Sequence, residues 1–359
     1  MTQQIDYQKH SKEFFNFLQK YDNFLIPLHL SPDGDMLASA LSISNVLDSF
    51  GKKYSIVSED NAFTKFNYFP GFEKLKWGFV YPDKAAKDFG AVMILDMHHK
   101  NGQILPRFMN VPTNEDKLFF ENVPTMYVDH HVKDEHFINP GLEVFINYGD
   151  PDISSTSELL FHLVDHSENV LSKETATLLY FGIFFDTGGF IGKNVYPSTL
   201  RSIASLLEQG ADVDFIQKNA IKNHSFFDIL YAKTFFSHFT ISPDSTYVWS
   251  YIPYDEFYKV LYENSGTETD TSSLREHYLN SVKGTYLGLV LHEKKPGFIT
   301  YSIRAREGID VSAISRECGN GDGHKAAAGG VIKDKTLDKA LEKLKTIIKS
   351  HIKAFVASK

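Results

Sequence analysis

"TMYVDHHV", residues 125–132, is an apolar run that ends in an acid and two imidazoles. Thr125, Met126, Tyr127 and Val128 suit a short strand that is apolar on both faces, as in the middle of a parallel sheet covered by helices. "AVMILD" (91–96) repeats the pattern and ends in Asp96, and "FLIPLHL" (24–30) reads as a third buried strand, with His29 at its end. Apolar residues at helical spacing fill 7–20, 35–50, 155–168 and 173–185, and a short strand is expected at 54–57. Alternation of buried strands with helices predicts an α/β fold, a parallel sheet with helices on both faces. Ligands bind such sheets beyond the carboxyl ends of the strands. Three of these strands place His or Asp there.

The stretch 197–240 is mostly helical and amphipathic. Beyond it "TYVWSYI" (246–252), "GTYLGLVLHE" (284–293) and "GFITYSIRA" (297–305) read as strands, followed by a glycine-rich turn and a Lys-rich terminal helix over 335–353. The expected organisation is a first α/β domain over 1–195, a helical connector over 196–225, and a smaller mixed α/β domain over 226–359.

At 359 residues the chain is long enough for two cores. No stretch approaches the roughly 18 consecutive apolar residues of a membrane-spanning helix, so no membrane partner is expected. "MTQQIDYQKHSKEFF" carries no apolar core of a secretory signal, and the single cysteine, Cys318, excludes an internal disulfide framework. A reducing, cytoplasmic location is the expectation. The net charge of −8 argues against long duplex nucleic acid as a partner. It leaves short anionic substrates open, because bound cations reverse the local sign.

Four stretches carry chemistry. In "HLSPDGDMLASA" (29–40), His29, Asp33 and Asp35 fall on one tight loop. The plainer reading is an Asp-rich turn into a helix N-cap, but the same three residues form a ligand set for a divalent ion. Asp96 places a charge at the end of a buried strand, where it needs a partner. His98 and His99 behind it read as surface or supporting groups. In "VDHH" one imidazole can ligate a metal while its neighbour meets substrate, and Asp129 can orient a ring from behind. In "FFDTGGF" (184–190), Asp186 closes an apolar helical run, against the helix dipole unless a cation sits there. His29, Asp33, Asp35, Asp96, His130 and Asp186 are too many ligands for one ion and suit two divalent cations with bridging carboxylates. A paired centre of that kind serves phosphoryl transfer. The mixed His/Asp set points to Mn²⁺, with Mg²⁺ or Co²⁺ as alternatives.

These motifs, in this order, resemble the DHH phosphoesterase superfamily, and most closely the DHHA1-bearing oligoribonuclease (nanoRNase)/pAp phosphatase subgroup. "HLSPDGD", "ILD", "VDHH" and "FFDTGGF" match its four metal motifs, and "YSIRAREGIDVSAISRECGNGDGHKAAAGG" (301–330) matches the DHHA1 arginine strand and glycine-rich histidine motif. The resemblance implies that one ion takes His29 and Asp33 and the other Asp35 and His130, with Asp96 and Asp186 between them. It makes His131, Asp96 and Asp186 catalytic, with His131 also contacting phosphate. It implies that Arg304, Gly321, Gly323 and His324 bind the substrate, a few nucleotides of RNA or pAp. A homodimer is left open. Two departures from the subgroup stand out. Asn320 and Asp322 interrupt the usual run of glycines before His324, and "DMHH" follows the second strand.

Three rival functions share these features. Pyrophosphate or polyphosphate hydrolysis would use the same metal half, but with a Lys/Arg-rich C-terminal motif where this chain has "GHKAAAGG". A linear or cyclic dinucleotide phosphodiesterase needs no different residues. A non-catalytic nucleotide-binding module would not need all six ligand positions filled.

Overall fold

The computed structural model describes residues 5–60, 66–79, 88–97, 105–131, 140–148, 153–167, 171–264, 272–306, 308–319, 321–332 and 336–358. His98, His99 and Asn320 lie outside them. The chain divides into two compact units, Met1–Lys222 and Asn223–Lys359.

The first unit holds six strands: β1 (Phe24–Pro27), β2 (Tyr54–Val57), β3 (Leu75–Lys76), β4 (Ala91–Leu95), β5 (Thr125–Asp129) and β6 (Leu142–Asn147). They pair in the order β3-β2-β1-β4-β5-β6, and every pairing is parallel. All residues of β1, β4 and β5 are buried, so helices cover both faces, as the uninterrupted apolar runs require. The order reverses between β1 and β4, which opens a crevice at their carboxyl ends. β1 stops at Pro27, so His29 lies on the following loop and does not close the strand. The helix Lys173–Asp186 is apolar nearly all round and buried from Thr175 to Ile183. It packs against the helix Gly34–Ser49. A Cβ on Gly34 would meet the Phe185 ring at 2.5 Å, and one on Gly182 would meet Asp35 Oδ1 at 2.7 Å. Two glycines therefore let these helices close around the site.

The stretch read from sequence as a connector contributes Ile203, Leu206 and Ile216 to the first core. It contains the helices Pro197–Glu208 and Val213–Ile216, and the boundary between the units falls between Lys222 and Asn223.

The second unit is built on β7 (Thr240–Ile241), β8 (Tyr247–Ile252), β9 (Leu287–Lys295), β10 (Phe298–Ala305), β11 (Gly321–Gly323) and β12 (Ala327–Ile332). Their order is β11-β12-β10-β9-β8-β7, antiparallel except for β8 with β9. Alternate residues feed two cores. Leu287, Leu289 and Leu291 meet the terminal helix Leu337–Ala357 on one face, while Val290 packs with Phe235 and Phe257 on the other.

Candidate metal centre

The loop after β1 and the turns after β4 and β5 bring the first group of side chains together at the crevice. His29 Nδ1 donates to the Leu30 carbonyl at 2.9 Å, which leaves Nε2 as the ligand atom. Asp33 caps the helix Gly34–Ser49: its Oδ1 accepts from the backbone N–H of Asp35 (3.1 Å) and Met36 (3.0 Å), and the other oxygen stays available. The plain reading of this acid as an N-cap thus holds, and it still leaves one carboxylate oxygen for a ligand role.

Asp35 is buried and accepts from the first turn of the helix Thr156–Asp165, on Oδ2 from Thr156 N–H (2.8 Å) and on Oδ1 from Ser157 N–H (3.0 Å). Helix N-terminal donors of this kind favour a carboxylate. Burial raises the Asp35 carboxyl all the same, against the pull of His130 and of these bonds. Asp96, 3% exposed, follows β4 with φ at +45°, a left-handed backbone that Asp tolerates better than most residues. Its Oδ1 accepts from Thr156 Oγ1 at 3.0 Å and lies 3.4 Å from His130 Nε2 and 3.8 Å from His131 Nδ1. Burial, and after it the charge of Asp35, push the Asp96 carboxyl up to about 8. The same two causes push Asp186 up to about 7. Asp186 ends its helix 3.8 Å from His130 Nε2 and is held by the Asn194 amide, which donates to its carbonyl (3.2 Å) and to Oδ2 (3.3 Å).

The two histidines differ in their support. Burial would lower His130, but its bond to Asp96 and the charges of Asp96, Asp35 and Asp186 outweigh that and raise it to about 10. His131 Nδ1 donates to Asp129 Oδ1 at 2.8 Å, which turns Nε2 outward, and this bond raises His131 over the opposing effect of burial. Asp129 is the orienting acid, for His131. It is itself fixed by the Tyr127 hydroxyl (2.9 Å) and the Asn147 amide (3.1 Å) on Oδ2. Burial would raise Asp129, but these bonds and the histidine charges hold it below the usual carboxylate range.

Two sets of side chains each present ligand atoms within 4.8 Å of one another: His29, Asp33 and Asp96, and Asp96, His130 and His131. Asp96 belongs to both. Mutual repulsion among buried acids is relieved either by protons, as the raised carboxyls show, or by a cation. The donor set of imidazoles and carboxylates fits a borderline divalent ion. Thr156, Ser157, Asn147 and Asn194 were not foreseen from sequence. The signal available for the first two was "SSTSE" (154–158), where Ser155 caps the helix by accepting from Glu158 N–H at 3.0 Å.

In the second unit Arg304 lies on β10, half-buried, opposite Gly288 of β9 and Ala327 of β12. The expected glycine-rich turn is a short edge strand, β11, and the turn itself runs over 324–327, closed by His324 N–H to the Ala327 carbonyl at 2.8 Å. Exposed His324 therefore lies at the Arg304 end of the sheet. Gly323 has φ at +144°, and a Cβ there would meet Ala328 Cα at 2.5 Å. A Cβ on Gly321 would meet the Tyr301 hydroxyl at 2.3 Å. The paired strand crowds Gly323, and the Tyr301 hydroxyl together with Ser315 of the helix Val311–Glu317 crowds Gly321.

The DHH family N-terminal domain matches residues 23–183 and the DHHA1 domain matches 257–350. Bifunctional oligoribonuclease and PAP phosphatase NrnA of Thermus thermophilus is 26% identical over 332 residues, 91% of this chain and 89% of that protein. Cyclic-di-AMP phosphodiesterase GdpP of Geobacillus thermodenitrificans is 24% identical over 354 residues, 92% of this chain and 48% of that protein. The crystal structure of an exopolyphosphatase-related protein from Bacteroides fragilis shares the fold, with a TM-score of 0.78 and 24% identity over 99% of this chain and 98% of that one. Both domain types are matched in order, with the Asp/His cluster at the carboxyl ends of the first sheet, and the chain belongs to the DHH/DHHA1 phosphoesterase family.

Proposed function

We propose that this phosphoesterase hydrolyses short oligoribonucleotides and pAp at a binuclear centre. The observation that carries the reading is the position of Asp96, common to two ligand groups and within reach of both His130 and His131. One ion would be held by His29 and Asp33 and the other by Asp35 and His130, with Asp96 and Asp186 between them. When bound, the two ions supply Lewis-acid polarisation of water and of the phosphoryl group. Mn²⁺ is the preferred ion, with Mg²⁺ or Co²⁺ as substitutes.

The chain's own part is to hold that constellation and to steady the substrate. Thr156 and Ser157 fix Asp35, Thr156 fixes Asp96, and Asn194 fixes Asp186. His131, tied to Asp129 through Nδ1, offers a proton from Nε2 to a phosphoryl oxygen as charge grows there. Arg304 and His324, at one end of the second sheet, grip the far phosphate of a short nucleotide, and the β11 edge with Gly321 and Gly323 lines that place. Among the described residues no helix is long and apolar enough to cross a membrane. With one cysteine, the chain suits the cytoplasm.

A second reading, phosphodiesterase action on a cyclic dinucleotide, is favoured by the likeness to GdpP over nine-tenths of this chain. A Mn²⁺-supplemented panel of pAp, an RNA dinucleotide, pApA, cyclic di-AMP and polyphosphate separates the two. Turnover of pAp and the RNA dinucleotide at least about tenfold above the others is expected. Preference for cyclic di-AMP or polyphosphate would overturn the proposal.

A further inference from the structure

Arg107 lies in the short helix Leu105–Phe108. The segment is anchored by Phe108, fully buried with its ring 5.0 Å from that of Phe120. Leu30 N–H donates to the Arg107 carbonyl at 2.7 Å, so the segment runs beside the loop that carries His29. The guanidinium charge reaches Tyr127, whose hydroxyl donates to Asp129 and lies 2.8 Å from the carbonyl of Met97, the neighbour of Asp96. Arg107 therefore lies beside the His29 loop, and its charge is felt at the tyrosine that supports Asp129.

Its Nε is a buried donor with no hydrogen-bond partner. Such orphans are rare in folded proteins, because an unmade bond costs stability, and each calls for an explanation. The acids of the cluster, Asp96, Asp129 and Asp186, take His130 and His131 as their close cationic partners. A guanidinium is a rigid fork suited to two oxygens of a phosphate, and it keeps its charge at any working pH. With Nε unpaired in a residue that is only partly buried, the guanidinium of Arg107 is available to an anion that arrives from outside.

We propose that Arg107 is a substrate-binding residue, taking an oxygen of the reacting phosphoryl group on the His29 side of the centre. The assignment rests on the phosphoester reading above for the identity of the anion, and its test is separable from that reading. Inorganic phosphate is titrated calorimetrically into the Mn²⁺-loaded full chain, with parallel measurement of Mn²⁺ content, melting temperature, and kcat and KM on pAp. Arg107→Gln should weaken phosphate binding and raise KM by about ten- to a hundredfold, the range for one charge-assisted contact. Mn²⁺ content and melting temperature should not change. Arg107→Lys, which keeps the charge without the fork, should recover part of the loss. Added guanidinium should partly restore Arg107→Ala and leave the wild type unaffected. Wild-type phosphate affinity in Arg107→Gln, or a loss matched by equal loss of Mn²⁺, would overturn the assignment. A wild-type chain that splits none of the esters, yet binds phosphate in an Arg107-dependent way, would sink the proposed reaction and uphold this residue's role.

Discussion

Asp96 and Arg304 both sit at the ends of central strands, but in opposite surroundings. Asp96 is buried on a left-handed backbone, bonded by Thr156 and faced by two imidazoles. Arg304 is half-buried on an ordinary strand, with Nη1 donating to the carbonyl of its own neighbour, Ile303, at 3.2 Å. The first site is fixed from several sides and carries strongly displaced proton affinities. The second combines a guanidinium with an exposed imidazole at a turn. On the proposed reading, chemistry that needs fixed positions belongs to the switch point of the first sheet, and recognition that must tolerate different nucleotides belongs to the second.

The largest effect expected is on the first side of this comparison. Asp96→Asn keeps the size and the tolerance of the left-handed backbone but removes a charge shared by both ligand groups. It should lower kcat/KM by about a thousandfold or more and reduce the Mn²⁺ retained after dialysis. Near wild-type activity would show that Asp96 is only a strand-end cap. Next in size is His131→Ala, which should keep its Mn²⁺ and lose about a hundredfold or more in kcat, as when one donor to a developing oxyanion is removed. If His131→Ala loses metal as readily as His130→Ala, both imidazoles are ligands.

Arg304→Ala tests the other side. It should lower kcat/KM on pAp and the RNA dinucleotide by about ten- to a hundredfold, while hydrolysis of bis-p-nitrophenyl phosphate, which offers no second phosphate, stays within about twofold. Equal slowing of both substrates would erase the division between the two regions.

The smallest effect is on stability without metal. Asp96, Asp186 and His130 all have proton affinities raised by folding, to about 8, about 7 and about 10. A raised group stabilises below its unfolded value, and that contribution is lost as pH rises through its folded value. The carboxyls act between about pH 4 and 8, the imidazole between about 6.5 and 10, and all three work in the same direction. Chelator-treated protein should therefore melt several degrees lower at pH 8.5 than at pH 6, and added Mn²⁺ should close the gap. A metal-free melting temperature that rises over this range would contradict the burial of these charges.

Much of the first site was legible because a buried apolar run that stops at a charge is a strong signal. "AVMILD" and "TMYVD" gave β4 and β5 nearly to the residue, and they fixed which ends of the sheet would face one another. The supporting partners were not legible. Thr156 and Ser157 act partly through backbone N–H groups that any residue carries, and Asn147 and Asn194 are ordinary loop amides until the fold brings Asp129 and Asp186 to them. β6, "LEVFIN", is an edge strand with only Ile146 fully buried, so its apolar pattern is weak. The helix Pro197–Glu208 reads as amphipathic, but sequence does not say which core receives it. The glycine run at 321–323 reads as a turn but forms the short edge strand β11, where Ala328 crowds Gly323 and the Ser315 and Tyr301 side chains crowd Gly321.

On the proposed reading, one cluster of side chains after β1, β4 and β5 and at the end of the helix Lys173–Asp186 holds two ions. Crystals grown with Mn²⁺ and measured for its anomalous scattering test this directly. Two peaks are expected, about 3.5–4 Å apart, with Asp96 ligating both. A single peak in that crevice, or a pair of peaks with Asp96 touching neither, would contradict the account.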